Sequence, residues 1–184
     1  TLVPGGKPGL YHWFEHVPFR GTKRYPGGKK NIKSLIAETG GGISAETSLY
    51  TTTFHANVPT KYLELAIDGV VELVASPTLK EKDIIAEKMI IKQEIGESLN
   101  DTDRRIRRQI MSDIWKGHPL EFEILGKVQD LDDMNPVILK TAHTDGYSTN
   151  RMFFVIETST DKDRVCEILG RHLDRLSINP KVSG

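Results

Sequence analysis

The spacing of apolar residues predicts a chain made mainly of helices. Residues 10–17 (LYHWFEHV) form a dense run of aromatic residues and histidines, bounded by proline and glycine on both sides. Such breakers predict a short helix of about two turns. Asn31 can cap a second helix, which would end at a run of three glycines. Apolar residues at helical spacing predict further helices over residues 61–77, 81–99, 103–115, 135–145 and 163–176.

The pattern changes to a period of two over residues 43–58, where β-branched and aromatic residues predict two strands joined by a turn near residues 47–49. The apolar run at residues 152–158 (MFFVIET) predicts a third, buried strand. So small a sheet covers little helical surface. Either the chain is mostly helical, or further strands precede Thr1, which is not a methionine. We therefore expect one α+β domain over residues 1–184, incomplete at its N-terminus, with an antiparallel sheet and helices packed on one face.

Composition narrows the class of protein. Of the 184 residues, 38% are hydrophobic and 27% are charged, which is the balance of an ordinary soluble globular domain. The 25 basic and 25 acidic residues cancel, whereas a nucleic-acid-binding protein is usually basic. No apolar run approaches the roughly 18 residues of a membrane helix. We expect a soluble protein that binds neither nucleic acid nor membranes. The sequence does not identify the cellular compartment, and we expect the cytoplasm.

The single cysteine excludes an internal disulfide framework and a multi-cysteine zinc site. This residue, Cys166, follows the apolar pattern of the last predicted helix, and we expect it to be a core thiol. Trp115 is expected in the core as well. The arginine-rich run at residues 104–108 is interpreted as a solvated helix face, because no aromatic residues interleave it and the net charge is zero.

The most informative motif is H-x-x-E-H at residues 12–16 (HWFEH). Residues four apart on a helix lie on one face, so the imidazoles of His12 and His16 can bind one metal ion. Glu15 would lie beside His16, close enough to contact a water molecule at the ion without being a ligand. This motif is the reverse of H-E-x-x-H and occurs among zinc peptidases.

A catalytic zinc site needs a third protein ligand. Glu87 and Glu94 are candidates, because they are seven positions apart on the helix predicted over residues 81–99 and share a face at the border of its apolar stripe. Carboxylates at such a border are partly buried and need partners or a metal. Taken alone, the pair is more typical of a salt-bridged helix face, and the histidine motif alone is equally compatible with chance. The other histidines are His55, His118, His143 and His172.

Residues 9–22 (GLYHWFEHVPFRGT) resemble the signature of the pitrilysin/insulinase family of zinc peptidases, which includes mitochondrial processing peptidase. The family pattern is roughly G-x-x-H-x-x-E-H-x-x-F-x-G-T. It is matched at Gly9, His12, Glu15, His16, Phe19, Gly21 and Thr22. Residues 38–59 resemble the family's glycine-rich entry into a hairpin, and residues 86–103 resemble its helix with the third ligand. The resemblance covers nearly the whole chain.

The resemblance implies a mitochondrial processing peptidase-like metallohydrolase fold and a zinc-dependent endopeptidase that cleaves extended or unfolded polypeptides. His12, His16 and Glu94 would bind Zn²⁺, and Glu15 would be the general base. Glu87 would be a supporting carboxylate that holds the geometry of the site. Family members work with a homologous partner domain, or as a homodimer. A partner domain would then supply the donor for the oxyanion.

Ser44, Ala45 and Glu46 are the candidate substrate-binding residues. They follow the glycine run and have the pattern of a strand at a sheet edge, to which an extended peptide can add by main-chain hydrogen bonds. A proline at Ser44 would then remove one free N–H and weaken peptide binding. The alternative is an ordinary hairpin paired on both sides. Family members often have asparagine where this chain has Ser44, a departure that would affect substrate contacts.

Two other functions are compatible with the motif. S-ribosylhomocysteine lyase also carries H-x-x-E-H, but its third metal ligand is a cysteine, and Cys166 lies in the last predicted helix. The other alternative is a metal-free or inactive subunit of the same family with a structural or substrate-gripping role. The intact motif argues against it, and a metal analysis would distinguish these functions.

Overall fold

The computed structural model describes residues 7–176, so the predicted opening loop is described only from Lys7 onward. The helices are α1 (Leu10–His16), α2 (Ile32–Glu38), α3 (Leu63–Ala75), α4 (Glu81–Asn100), α5 (Thr102–Ile114), α6 (Pro136–Gly146) and α7 (Lys162–Leu173). The strands β1 (Gly42–Thr47) and β2 (Thr52–Asn57) lie between α2 and α3 in the chain. Short 3-10 turns occupy Val17–Arg20, Thr60–Tyr62, Pro119–Glu121, Val128–Leu131 and Thr149–Arg151.

These elements confirm the predicted α+β class, with a two-stranded antiparallel sheet in a mostly helical chain. The strand predicted at residues 152–158 is wrong. The structure has no strand there, and Phe153 and Val155 are 79% and 84% exposed. Ile156 of this run packs against a hydrophobic cluster. An apolar run indicates a preference for burial, but a strand also needs a neighbouring strand for its hydrogen bonds, and none pairs with this segment within residues 7–176.

Two residues expected in the core are not buried. Cys166 is exposed on α7, whose buried side is marked by Ile168. Trp115 is 38% exposed at the end of α5, a helix without a single buried residue. Both predictions are wrong because an apolar pattern identifies a helix face, and only the packing of neighbouring elements decides whether that face is covered. In the arginine-rich run at the start of α5, Arg104, Arg105 and Arg107 are exposed, as expected, whereas Arg108 is half-buried and binds Glu123 and Ser98. Among the described helices, none is both long and apolar enough to cross a membrane.

The chain divides into two compact units. Within the described residues, the first comprises residues 7–17, 46–53 and 79–139, and the second comprises residues 18–45, 54–78 and 140–176. The prediction of one domain over the full chain stays a prediction. Each unit has its own buried residues, which are described in turn.

In the second unit, one face of the hairpin packs on helices. Ile43 is buried in a cluster with Ile32 and Ile36 of α2 and with Leu73 of α3, and Phe54 packs at its border. The burial of both strands alternates residue by residue, so the opposite face is exposed. The sequence pattern with period two therefore marks the buried face of the hairpin correctly.

The second unit also buries a group of charges that the sequence pattern did not indicate. Asp68 and Glu72, one turn apart on α3, are only 5% and 1% exposed. Arg175 binds both, with N–O distances of 2.6 Å to Asp68 and 2.7 Å to Glu72. The Tyr25 hydroxyl donates to Asp68, and the main-chain N–H of Arg24 donates to Glu72. This network joins the residues after α7 to the middle of α3.

In the first unit, α1 packs against α4. Trp13 and Phe14 are 1% and 0% exposed and anchor α1 in the core. Ile84, Ile91 and Ile95 form the buried stripe of α4, with spacings of seven and four residues. This contact fixes the distance between the histidines of α1 and the glutamates of α4.

Candidate functional site

The start of α1 depends on Gly9. Its φ of 79° lies in the left-handed region, and its carbonyl accepts the N–H of Trp13 at 2.9 Å. A Cβ at this position would lie 2.8 Å from the carbonyl oxygen of Leu125, so a side chain is excluded both by conformation and by space. Glycine at position 9 therefore allows α1 to begin before His12, so that His12 and His16 lie on the same face, one turn apart.

The structure brings His12, His16 and Glu94 together. The two Nε2 atoms are 3.3 Å apart, and each lies 3.6 Å from Oε2 of Glu94. Ligand bonds of 2.0–2.2 Å in a tetrahedral zinc site place ligand atoms about 3.3–3.6 Å from one another. The three atoms therefore have the spacing of one face of such a tetrahedron. Within residues 7–176, no other group of three or more histidine, cysteine, aspartate or glutamate side chains has its ligand atoms close enough together to hold one metal ion.

Glu87 holds the far side of the His16 ring. Its Oε2 lies 3.2 Å from Nδ1 of His16, and the Glu87 residue is 5% exposed. An ionised carboxylate only accepts hydrogen bonds, so Nδ1–H of His16 donates, and in the neutral ring the lone pair is then on Nε2. That lone pair belongs to the atom that faces His12 and Glu94. A carboxylate behind a histidine in this way is the usual support of a metal ligand.

The pKa values of the two histidines shift in opposite directions. Burial, together with the neighbouring His16, lowers the pKa of His12 to about 4. Burial also acts to lower the pKa of His16, but the hydrogen bond to Glu87 and the charges of Glu94, Glu87 and Glu15 outweigh it, so this pKa is raised. Burial raises the pKa of Glu94, against the opposing influence of His16. At neutral pH, His12 is therefore neutral and able to bind a metal.

Within the described residues, the Nδ1 atom of His12 has no counterpart to the Glu87 carboxylate that contacts Nδ1 of His16. It is buried and has no hydrogen-bond partner among the residues that the structure describes. Its Nε2 faces His16 and Glu94. The donor set is therefore two imidazole nitrogens and one carboxylate oxygen, the types of ligand found at catalytic zinc sites. The residues present fit a zinc ion.

Glu15 lies outside this set of three ligand atoms, and its role as general base stays a prediction. Its Oε2 accepts a hydrogen bond of 2.6 Å from the hydroxyl of Thr47, the last residue of β1. Sequence reasoning missed Thr47, since it is 32 positions from Glu15. The only available signal was its place in the glycine-rich hairpin that follows the motif.

The candidate substrate-binding residues Ser44, Ala45 and Glu46 lie on β1, the first strand of the hairpin. The Ser48 N–H donates to the Thr51 carbonyl at 2.8 Å, which sets a register in which residue 47 faces residue 52. In an antiparallel ladder, successive residues turn their N–H groups alternately toward and away from the partner strand. This register turns the N–H of Ser44 toward β2 and that of Ala45 away from it. The side chains of Ser44 and Glu46 are exposed.

The remaining histidines have other surroundings. Nδ1 of His118 accepts the N–H of Leu120, and Nε2 of His143 lies 2.5 Å from the Val74 carbonyl. Nδ1 of His172 lies 3.2 Å from Asp68. His55 is exposed on β2. The third member of the group is thus Glu94 rather than another histidine, and its role as a zinc ligand stays a prediction.

The sequence profile of the insulinase family of peptidases, family M16, matches residues 5–128 of this chain. Among curated proteins, the chain is 25% identical over 168 residues to the β subunit of mitochondrial-processing peptidase from Caenorhabditis elegans, covering 91% of this chain and 36% of that protein. It is 27% identical over 188 residues to Protease 3 of Escherichia coli K12, covering 98% of this chain and 19% of that protein. An uncharacterised zinc protease of Mycobacterium leprae is 24% identical over 164 residues, which are 89% of this chain and 36% of that protein.

Solved structures have the same fold. A protease from Helicobacter pylori superposes with a TM-score of 0.86 at 19% identity, over 98% of this chain and 44% of that one. Pitrilysin superposes with a TM-score of 0.82 at 25% identity, over 96% of this chain and 20% of that one. The chain spans only 19–36% of the length of the three relatives above. Because the family profile covers most of its residues, this chain belongs to the insulinase family of peptidases, family M16.

Proposed function

We propose that this chain carries the metal site of a zinc-dependent endopeptidase of the inverted H-x-x-E-H type, which hydrolyses extended peptides. His12, His16 and Glu94 would hold the ion. The observation that carries the proposal is the arrangement of their three ligand atoms, with separations of 3.3, 3.6 and 3.6 Å. The names of the relatives, several of which are zinc proteases or peptidases, agree with it.

A zinc ion supplies Lewis acidity, which lowers the pKa of water and polarises a carbonyl group. Glu15 is the general base: it takes the proton of the attacking water and passes it to the leaving amine. The adjacent position of Glu15 on α1 keeps it near the histidines while leaving it outside the ligand set. Glu87 keeps His16 in the tautomer that offers Nε2 to a metal.

The substrate would bind as an added strand along the edge of β1 that faces away from β2 and has no paired strand among residues 7–176. The N–H of Ala45 and the flanking main chain supply hydrogen bonds there, while Ser44 and Glu46 present exposed side chains. Main-chain pairing accepts many sequences, provided that the peptide is extended. Substrates are therefore extended or unfolded polypeptides, and a homologous partner domain or a second copy of the chain would supply the donor for the oxyanion.

The metal site is tested by zinc analysis of the purified protein, together with variants of the ligands. We expect about one zinc ion for each chain, none after His12→Ala or His16→Ala, and a strongly weakened affinity after Glu94→Gln. His55→Ala is the matched control, because His55 is exposed on β2 and should keep the full zinc content. A parent protein without zinc in any preparation would instead favour a metal-free structural subunit.

Catalysis is tested in the intact protein that contains this chain. Glu15→Gln should retain zinc and lose hydrolysis of an unfolded polypeptide, because the base is removed while the ligands remain. Loss of zinc in this variant would mean that Glu15 is a ligand, and the assignment of roles would be wrong. Retained hydrolysis would exclude Glu15 as the base.

A further inference from the structure

The hydroxyl of Thr47 makes the one hydrogen bond recorded for the Glu15 carboxylate within the described part of the chain. The Oγ1–Oε2 distance is 2.6 Å, within the range of about 2.5–2.7 Å for a hydroxyl donating to an ionised carboxylate. Both side chains are half-buried. The bond therefore lies partly out of water, where a charge-assisted hydrogen bond is stronger than at an open surface.

The direction of this bond follows from chemistry. An ionised carboxylate has no proton to give, so the Thr47 hydroxyl must be the donor. The oxygen of Thr47 then remains free to accept, and the hydroxyl of Thr52 lies 3.3 Å away, directly across the hairpin. The hydrogen bonds thus run from Thr52 to Thr47 and from Thr47 to Glu15.

The hairpin makes this donor rigid. Thr47 and Thr52 are the last and first residues of their strands, on either side of a turn closed by the bond from the Ser48 N–H to the Thr51 carbonyl. Threonine is β-branched, so its χ1 has few accessible rotamers. Glutamate has three rotatable side-chain bonds, and the carboxylate of Glu15 is held by the hydrogen bond from Thr47. Its carboxylate therefore takes its orientation from Thr47.

We propose that Thr47 is a positioning residue that selects which oxygen of Glu15 acts as the base. The Thr47 hydroxyl uses one lone pair of Oε2, whereas Oε1 has both lone pairs available, so Oε1 is the oxygen favoured to take the proton from water. This inference rests on the proposed role of Glu15 as general base. Removal of the hydroxyl leaves the carboxylate free to rotate, and small displacements of a catalytic group cost up to about a hundredfold in rate.

The test compares variants of the intact protein that contains this chain. Thr47→Val keeps the shape and the β-branch but removes the hydroxyl, and we expect kcat to fall roughly ten- to a hundredfold. KM should change less than about twofold and zinc content should be unchanged, because neither the ligands nor the main chain is altered. Thr47→Ser restores the hydroxyl and should recover most of kcat. Thr53→Val is the matched control, since Thr53 is exposed on the other face of β2.

Crystal structures of the parent and of Thr47→Val give a readout that does not depend on activity. We expect one ordered position of the Glu15 carboxylate in the parent and several in the variant. A Thr47→Val protein with parental kcat, an unmoved Glu15 carboxylate, or no recovery in Thr47→Ser would overturn this inference. Failure of the proposed function has a different signature, which is hydrolysis that survives Glu15→Gln or a parent protein without zinc.

Discussion

Replacing Glu87 with glutamine tests whether a buried charge tunes the metal site. The change keeps the size of the side chain and one oxygen that can still accept the Nδ1–H of His16, now at 3.2 Å from the carboxylate. What it removes is the negative charge. A hydrogen bond to a charged group contributes about 1.5–3 kcal/mol, against about 0.5–1.5 kcal/mol for a neutral one. The difference of about 1–1.5 kcal/mol corresponds to roughly tenfold in the dissociation constant for zinc.

The control for this variant is Glu81→Gln. Glu81 begins the same helix and its side chain is exposed, so the substitution changes the net charge by the same amount without a contact to His16. Zinc affinity is measured by competition with a chromophoric chelator at pH 7.5. We expect a loss of about tenfold for Glu87→Gln and less than about twofold for Glu81→Gln. Equal losses in the two variants would refute the specific role of Glu87.

The pH dependence gives this prediction a second signature. Zinc binds only neutral imidazole, and the pKa of His16 is raised, so protons compete with zinc as the pH falls through that pKa. The hydrogen bond to Glu87 is one cause of the raised pKa, and its weakening in Glu87→Gln lowers the pKa. Competition in the variant therefore begins at a lower pH. The difference in affinity between parent and variant should narrow from pH 7.5 to pH 6, and a constant difference would contradict this reasoning.

Two further predictions concern the second unit. Ala45→Pro should weaken the binding of an extended peptide, measured by fluorescence anisotropy, and leave the zinc content unchanged. Ser44→Pro should instead break a hydrogen bond between β1 and β2 and lower the melting temperature. Equal peptide binding by the parent and Ala45→Pro would exclude substrate binding at the edge of β1. Arg175→Met should lower the free energy of unfolding in urea by about 3 kcal/mol, because it leaves the buried Glu72 without its cation. Arg171→Met, on the exposed side of α7, should cost less than about 1 kcal/mol and serves as the comparison.

Part of the fold could be predicted from the sequence, because helices and hairpins are formed by residues that are close together in the chain. The periodic apolar positions of α3 and α4 mark helices over nearly the residues that the structure has. The alternation over residues 43–58 likewise predicts the hairpin, although its turn lies at residues 48–51 rather than near 47–49. The segment at residues 152–158 is the counterexample. Its composition is that of a strand, but strand formation depends on a partner strand and not on the segment itself.

The proposed metal site likewise depends partly on the sequence alone and partly on the tertiary structure. The sequence alone determines that His12 and His16 share a face of α1, since a spacing of four residues is fixed by helix geometry. That Glu94 meets them depends on the packing of α1 against α4, as does the bond from His16 to Glu87, which joins residues 71 positions apart. The bond from Thr47 to Glu15 depends on where β1 ends. Distances along a helix are set by the backbone, whereas distances between elements are set by the side chains that pack between them, and only the tertiary structure determines those.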